Sequence, residues 1–160
     1  MRSRHASAWE SPGFLLWHAT LRWQRAMRAA LAPHGLTHVQ FVLLASAWWL
    51  GEQGEQPAQR RLAEHAGTDA MMTSQVVRAL ERQGLVERLR DPGDARSVRV
   101  TVTPTGRGRL QGALADVEAA DAEFFAEVAD EALVPRLQTL AGRGPAEQIK
   151  PPALPSLGRW

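Results

Sequence analysis

Apolar residues recur at helical spacing from about residue 10 to residue 31. Phe14, Trp17 and Leu21 form one stripe, and Leu16, Trp23, Met27 and Leu31 form an adjoining one. Ser11 is placed to cap this helix, Pro12 suits its first turn, and "APHG" at 32 to 35 ends it. "THVQ" is then a capping box, in which Thr37 accepts from the Gln40 amide and Gln40 reaches back. It opens a second helix over 38 to 50, stopped by Gly51. After the polar, turn-like "EQGEQPAQ", a short helix over 58 to 66 turns Leu62 and Ala63 inward and stops at Gly67. Asp69 caps a further helix over 70 to 83, with Met72, Thr73, Val76, Val77 and Leu80 on its apolar side and Gly84 at its end.

The period then changes from helical to two. "LVERLR" at 85 to 90 is apolar at Leu85 or Val86 and at Leu89, and "SVRVTVT" at 97 to 103 sets Val98, Val100 and Val102 against Arg99, Thr101 and Thr103. The turn formers Asp91, Pro92, Gly93 and Asp94 join the two strands as a hairpin. Thr103 and Pro104 open a long helix over 104 to 129, with Leu110, Leu114, Val117, Phe124 and Val128 along one side. A short helix over 130 to 141 carries Leu133, Val134, Leu137 and Leu140. The expected class is mainly α with a small β-hairpin wing. The segments are an N-terminal helix in 1–35, a helix-turn-helix with its hairpin in 36–103, C-terminal helices in 104–141, and a proline- and glycine-rich disordered tail in 142–160.

Composition narrows the classes. A length of 160 residues suits one domain, or one domain with an oligomerisation element. No apolar run reaches the roughly 18 residues of a membrane span, and "MRSRHASAWE" has no signal core, so a cytoplasmic chain with no membrane partner is expected. The absence of cysteine excludes disulfides, thiolate metal sites and thiol redox sensing. The net charge of +2 conceals a segregation: Gln59 to Arg109 holds ten arginines against six acids, whereas Ala113 to Glu131 holds seven acids and no base. That pattern gives a basic working face and an acidic one turned from an anionic partner.

Two short helices joined by "GTD" and followed by a hairpin make a winged helix-turn-helix. The second helix of such a motif lies in the DNA major groove. Its outward residues here are Met71, Ser74, Gln75, Arg78 and, at the edge, Arg82. Gln reads adenine, Arg reads guanine or holds phosphate, and Met touches a thymine methyl. The hairpin brings Arg88, Arg90, Arg96 and Arg99 beside that helix. Arg96 is suited to the minor groove, with Asp94 two residues earlier to orient it, while Arg88, Arg90 and Arg99 meet phosphates. A salt-bridged surface hairpin is the plainer alternative.

"LTHVQFVLL", "RRLAEHAGTDAMMTSQVVRALERQGLVER" and "DPGDARSVRVTVTPTG" resemble the MarR family of bacterial transcription factors, over roughly residues 10 to 140. The Asp-x-Arg of the wing (Asp94, Arg96) and the Leu-Val-Glu-Arg strand are its most specific marks, and "AMM" at 70 to 72 departs from it. The resemblance implies an obligate homodimer built by the terminal helices, a palindromic double-stranded operator, repression, and release by a small aromatic or anionic effector. Apolar surface on the first and last helices supports a dimer independently.

Trp17, His18, Phe41 and Trp48 are candidates to line an effector cleft, or else form core and dimer seam. His34 and His38 are four apart, but Gly35 and the Thr37 cap separate them, so no metal is expected. His65, at the end of the short helix, reads as a phosphate neighbour or surface residue. No glycine-rich phosphate loop, nucleophile elbow or buried-looking acid pair with a histidine nearby is present, and neither enzymatic activity nor a cofactor is expected. A reading from another class is a small-molecule binding or sequestering protein on the same fold, with weak DNA binding.

Overall fold

Helix starts marked by a local side-chain signal form where the sequence places them in the computed structural model, which describes residues 4–91, 93 and 97–142. The chain forms two units, Met1–Phe124 and Phe125–Trp160. In the first, a 3-10 turn at Ala8–Glu10 leads into α1 (Pro12–Leu31), and a second at Ala32–His34 leads into α2 (His38–Glu52). Then follow α3 (Gln59–Ala66), α4 (Ala70–Arg82), β1 (Val86–Arg90), β2 (Val98–Val102) and α5 (Pro104–Phe125). At α2 the Thr37 hydroxyl accepts from the Gln40 amide at 3.3 Å and the Gln40 side chain accepts from the Thr37 amide at 2.9 Å, completing the capping box.

Two expectations at the start of α1 and the end of α2 are corrected. The Ser11 side chain makes no cap bond; its amide instead donates to Ala8 O at 3.1 Å, because the 3-10 turn already shapes the start of α1. Gly51 does not stop α2. The helix runs through it to Glu52, and the left-handed residue of the turn is Gly54, with φ of 82°.

α2 is apolar on every side and is therefore the central helix. It buries Phe41, Leu43, Leu44, Ala47 and Leu50, with Val42, Ala45 and Trp48 packed against the same core. Met27 and Leu31 of α1, Leu62 of α3, Val77 and Leu80 of α4, and Leu110 and Val117 of α5 complete it.

β1 and β2 pair antiparallel from Val86↔Val102 to Arg90↔Val98. Val86 is buried at the base, so period two turns Arg88 the same way and Leu89 outward. Leu89, an apolar position of the strand, is thus exposed. The α2–α3 connection adds to the sheet: Val100 N donates to Pro57 O at 3.0 Å, and Ala58 bridges Arg99. The sequence marked that stretch only as a polar turn.

The long helix ends at Phe125 rather than 129. In the second unit, the Asp130 carboxylate accepts from the Ala132 amide at 3.0 Å and pairs with Arg136 at 3.3 Å, just before α6 (Leu133–Leu140). α6 leaves Val134, Leu137 and Leu140 exposed. Apart from Gly142, the 142–160 tail lies outside the described residues.

Candidate nucleic-acid interface

The turn between α3 and α4 is fixed by short-range bonds. Gly67 takes φ of 66°, and Thr68 N closes on Ala63 O at 3.0 Å. The Asp69 carboxylate accepts from the Met72 amide at 2.8 Å and caps α4. The Thr73 hydroxyl donates to Asp69 O at 2.7 Å and lies 2.8 Å from the Thr68 hydroxyl, with Thr73 wholly buried. Asp69→Ala is expected to cost about 1 kcal/mol, read as a lower urea midpoint at unchanged slope. An unchanged midpoint would show that water caps α4 as well as the carboxylate does.

Thr73, Val77 and Leu80 face the core. Met71, Gln75, Arg78 and Arg82 then lie on the outward stripe at i, i+4, i+7 and i+11, all exposed, with Ser74 half-buried beside them. Met71 is 73% exposed. Met72 does not turn inward as the apolar pattern suggested. It is exposed, because Thr73, bonded on both sides, holds the inward position and Met72 falls about 100° round the helix from it.

The wing arginines divide into two kinds. Arg99 is engaged by partners of its own chain: its guanidinium meets Asp91 Oδ2 and Gln56 O, each at 2.8 Å. Asp91 Oδ1 also accepts from Gly93 N at 2.8 Å, so one carboxylate shapes the start of the wing turn and anchors Arg99. Arg88 Nη1 meets Glu81 Oε2 at 3.2 Å, tying β1 to the end of α4, and Arg88 Nε is buried without a hydrogen-bond partner. Arg78, Arg82 and Arg90 make no ion pair among the described residues. Asp94 and Arg96 lie outside the described residues. No sequence signal pointed to the Arg99–Gln56 bond, whose partners are 43 residues apart.

His65 is half-buried: its Nδ1 lies 3.0 Å from the Ser46 hydroxyl, in a part-buried contact between α3 and α2. His34 Nε2 lies 2.6 Å from Asp116 Oδ2, and His34 O accepts from Arg109 at 2.6 Å. His38 packs edge-on to Trp23, whose indole N–H donates to Asp121 at 2.6 Å. Burial pushes the His38 imidazole below its ordinary pKa, and the Asp121 carboxylate partly opposes that shift. Among the described residues no group of three or more His, Asp or Glu is placed to hold a metal.

The four effector candidates occupy different settings. Trp17 is exposed on α1, and His18 meets Phe14 edge-on at 4.4 Å and a tilted Trp9 at 5.0 Å. Phe41 is buried in the core. Trp48 lines a cleft of about 300 Å³ with Gly51, Gln56, Val100 and Val102, where Arg107 and Glu52 pair at 3.5 Å. No helix among the described residues is long and apolar enough to cross a membrane.

A capped helix with a polar, cationic outward stripe, set behind a short helix and directly before a braced hairpin, defines a DNA-binding winged helix. The MarR family profile matches residues 36–98. YdcH, an HTH-type transcriptional regulator of Bacillus subtilis, is 48% identical over 116 residues, covering 72% of this chain and 79% of its own. CouR of Rhodococcus jostii, solved bound to p-coumaroyl-CoA, is 30% identical, covers 86% of this chain and 93% of its own, and superposes with a TM-score of 0.73. The repressor CouR bound to a 23-mer DNA duplex gives 26% identity, 89% and 98% coverage, and a TM-score of 0.74. The chain belongs to the MarR family of winged-helix transcriptional regulators.

Proposed function

We propose that the protein is a homodimeric, sequence-specific repressor. Each copy lays α4 in a major groove of a palindromic operator and its wing beside the adjacent minor groove. The observation that carries this reading is the outward stripe of α4, where Gln75, Arg78 and Arg82 stand exposed and neither arginine has an ion-pair partner among the described residues. Met71, Ser74, Gln75, Arg78 and Arg82 form the base-reading face, with Arg90 and Arg96 on the wing backbone and minor groove. Arg88 and Arg99, already engaged within the chain, hold the wing at its angle, as Asp94 orients Arg96.

Exposed apolar residues support the dimer. Leu15, Leu16 and Trp17 on α1, and Val134 and Leu140 on α6, leave surface that a second copy would cover. Segments 1–35 and 104–141 are therefore assigned to dimerisation. An aromatic or anionic effector at one of the tryptophan settings, the exposed α1 surface of Trp17 and His18 or the cleft beside Trp48, would favour one spacing of the two lobes. The complex of CouR with p-coumaroyl-CoA supports an effector of that kind.

Fluorescence anisotropy against the DNA upstream of the gene and against a random duplex, at two salt concentrations, tests the reading. Tight, salt-sensitive binding that prefers the upstream DNA is expected. Weak and equal binding to both duplexes would move the assignment to small-molecule binding. Arg96→Ala should weaken operator binding by about tenfold or more, with the dimer intact by gel filtration. Unchanged affinity would remove the wing from the interface.

A further inference from the structure

We propose that Met71 and Met72 form an oxidation-sensitive site, through which a two-electron oxygen donor such as hypochlorous acid releases the protein from DNA. This rests on the reading of α4 as the DNA-reading helix.

The chain has four methionines and no cysteine, so thioethers are its only sulfur chemistry. Met27 is fully buried in the core, whereas Met71 and Met72 stand 73% and 43% exposed. They are adjacent in the first turn of α4, directly after the Asp69 cap. Met71 shares the outward stripe with Gln75, Arg78 and Arg82. The N-terminal residues of a recognition helix are those that meet base edges.

The step balances without a cofactor. The Met Sδ lone pair attacks hypochlorous acid, the O–Cl bond breaks, and the oxygen ends on sulfur. Chloride and a proton leave; the sulfur loses two electrons and the oxidant gains them. The product sulfoxide is polar and carries a strong acceptor oxygen. A thioether can lie against a thymine methyl and the sugar edge, losing nothing on desolvation. A sulfoxide oxygen pressed against the same thymine methyl is stripped of water and gains no donor from it. Binding therefore weakens while the fold, whose core methionine is shielded, is retained.

The test treats the full-length dimer with graded hypochlorous acid, maps oxidation by peptide mass spectrometry, and measures operator affinity. Met71→Leu/Met72→Leu keeps the apolar contact and the helix propensity but cannot form a sulfoxide. The wild type is expected to lose about tenfold in affinity as sulfoxide forms at 71 and 72. The double variant, measured against its own untreated affinity, is expected to lose none at the same dose, and methionine sulfoxide reductase to restore the wild type. Equal losses in both proteins would trace the effect to damage elsewhere and overturn the proposal. So would full sulfoxidation at both positions with affinity unchanged, or no sulfoxide there at doses that oxidise free methionine. If untreated wild type binds no DNA, the recognition-helix reading itself fails, and this site falls with it.

Discussion

Gly106→Ala is expected to destabilise the protein by about 3 kcal/mol or more, among the larger effects of a single added carbon. A Cβ at Gly106 would lie 2.0 Å from Leu85 O and 2.8 Å from Leu85 C. These are backbone atoms, and several bonds hold them. Leu85 N donates to Leu80 O at 3.0 Å, and Leu85 O accepts from Thr103 N at 3.1 Å. The Thr103 hydroxyl donates to Gly84 O at 2.7 Å and accepts from Gly106 N at 2.9 Å. The end of α4, the start of β1 and the first turn of α5 are thus pinned at one place, and Leu85 is fully buried inside it. To admit the methyl group, α5 must move away and break that set of bonds. Gly108→Ala is the control. A Cβ there meets nothing within 4 Å, so the substitution should stabilise α5 by about 0.5–1 kcal/mol through helix propensity alone. Urea midpoints of the two variants should therefore move in opposite directions. A Gly106→Ala midpoint close to wild type would mean that α5 slides freely past Leu85. Because the same junction sets the wing against α4, operator affinity should fall with stability in Gly106→Ala and stay level in Gly108→Ala.

What the sequence disclosed follows the range of the forces involved. The Thr37–Gln40 box, the Asp69 cap and the left-handed Gly67 and Gly84 close on partners within a few residues, so local spelling specifies them. The two strands, Val86–Arg90 and Val98–Val102, follow likewise from period-two alternation. The outward stripe of α4 was legible because Thr73, Val77 and Leu80 leave one face over. Met72 was misplaced because hydrophobicity alone cannot tell that Thr73 takes its place by bonding to Asp69 O and Thr68. The longer contacts were invisible. Arg99 reads as a basic wing residue like Arg90, and only the fold brings it to Gln56 O and Asp91. His65 reads as a surface histidine until α2 brings Ser46 to it across 19 residues. Opposite charges on one hairpin therefore did not reveal which arginines brace it and which face outward.

Arg78→Glu is expected to lower operator affinity by about 100-fold or more. Arg78 lies mid-helix on the outward stripe of α4, between Gln75 and Arg82, and has no ion-pair partner among the described residues. Its replacement should change stability by less than about 0.5 kcal/mol, as for other exposed positions. On DNA the change is severe. A cation proposed to face phosphate or guanine becomes an anion facing the same atoms, and in the proposed dimer the exchange is repeated at both half-sites. Arg78→Ala separates the two roles that Arg78 can play. If it holds phosphate, Ala weakens operator and random DNA alike, and the slope of log affinity against log salt falls by about one for each copy. If it reads a base, the operator loses about 10- to 100-fold while random DNA loses little. Full-strength, salt-sensitive operator binding by Arg78→Glu would require the groove to be filled by another element. The arrangement from the Asp69 cap to the Leu85–Gly106 junction would then serve the fold alone.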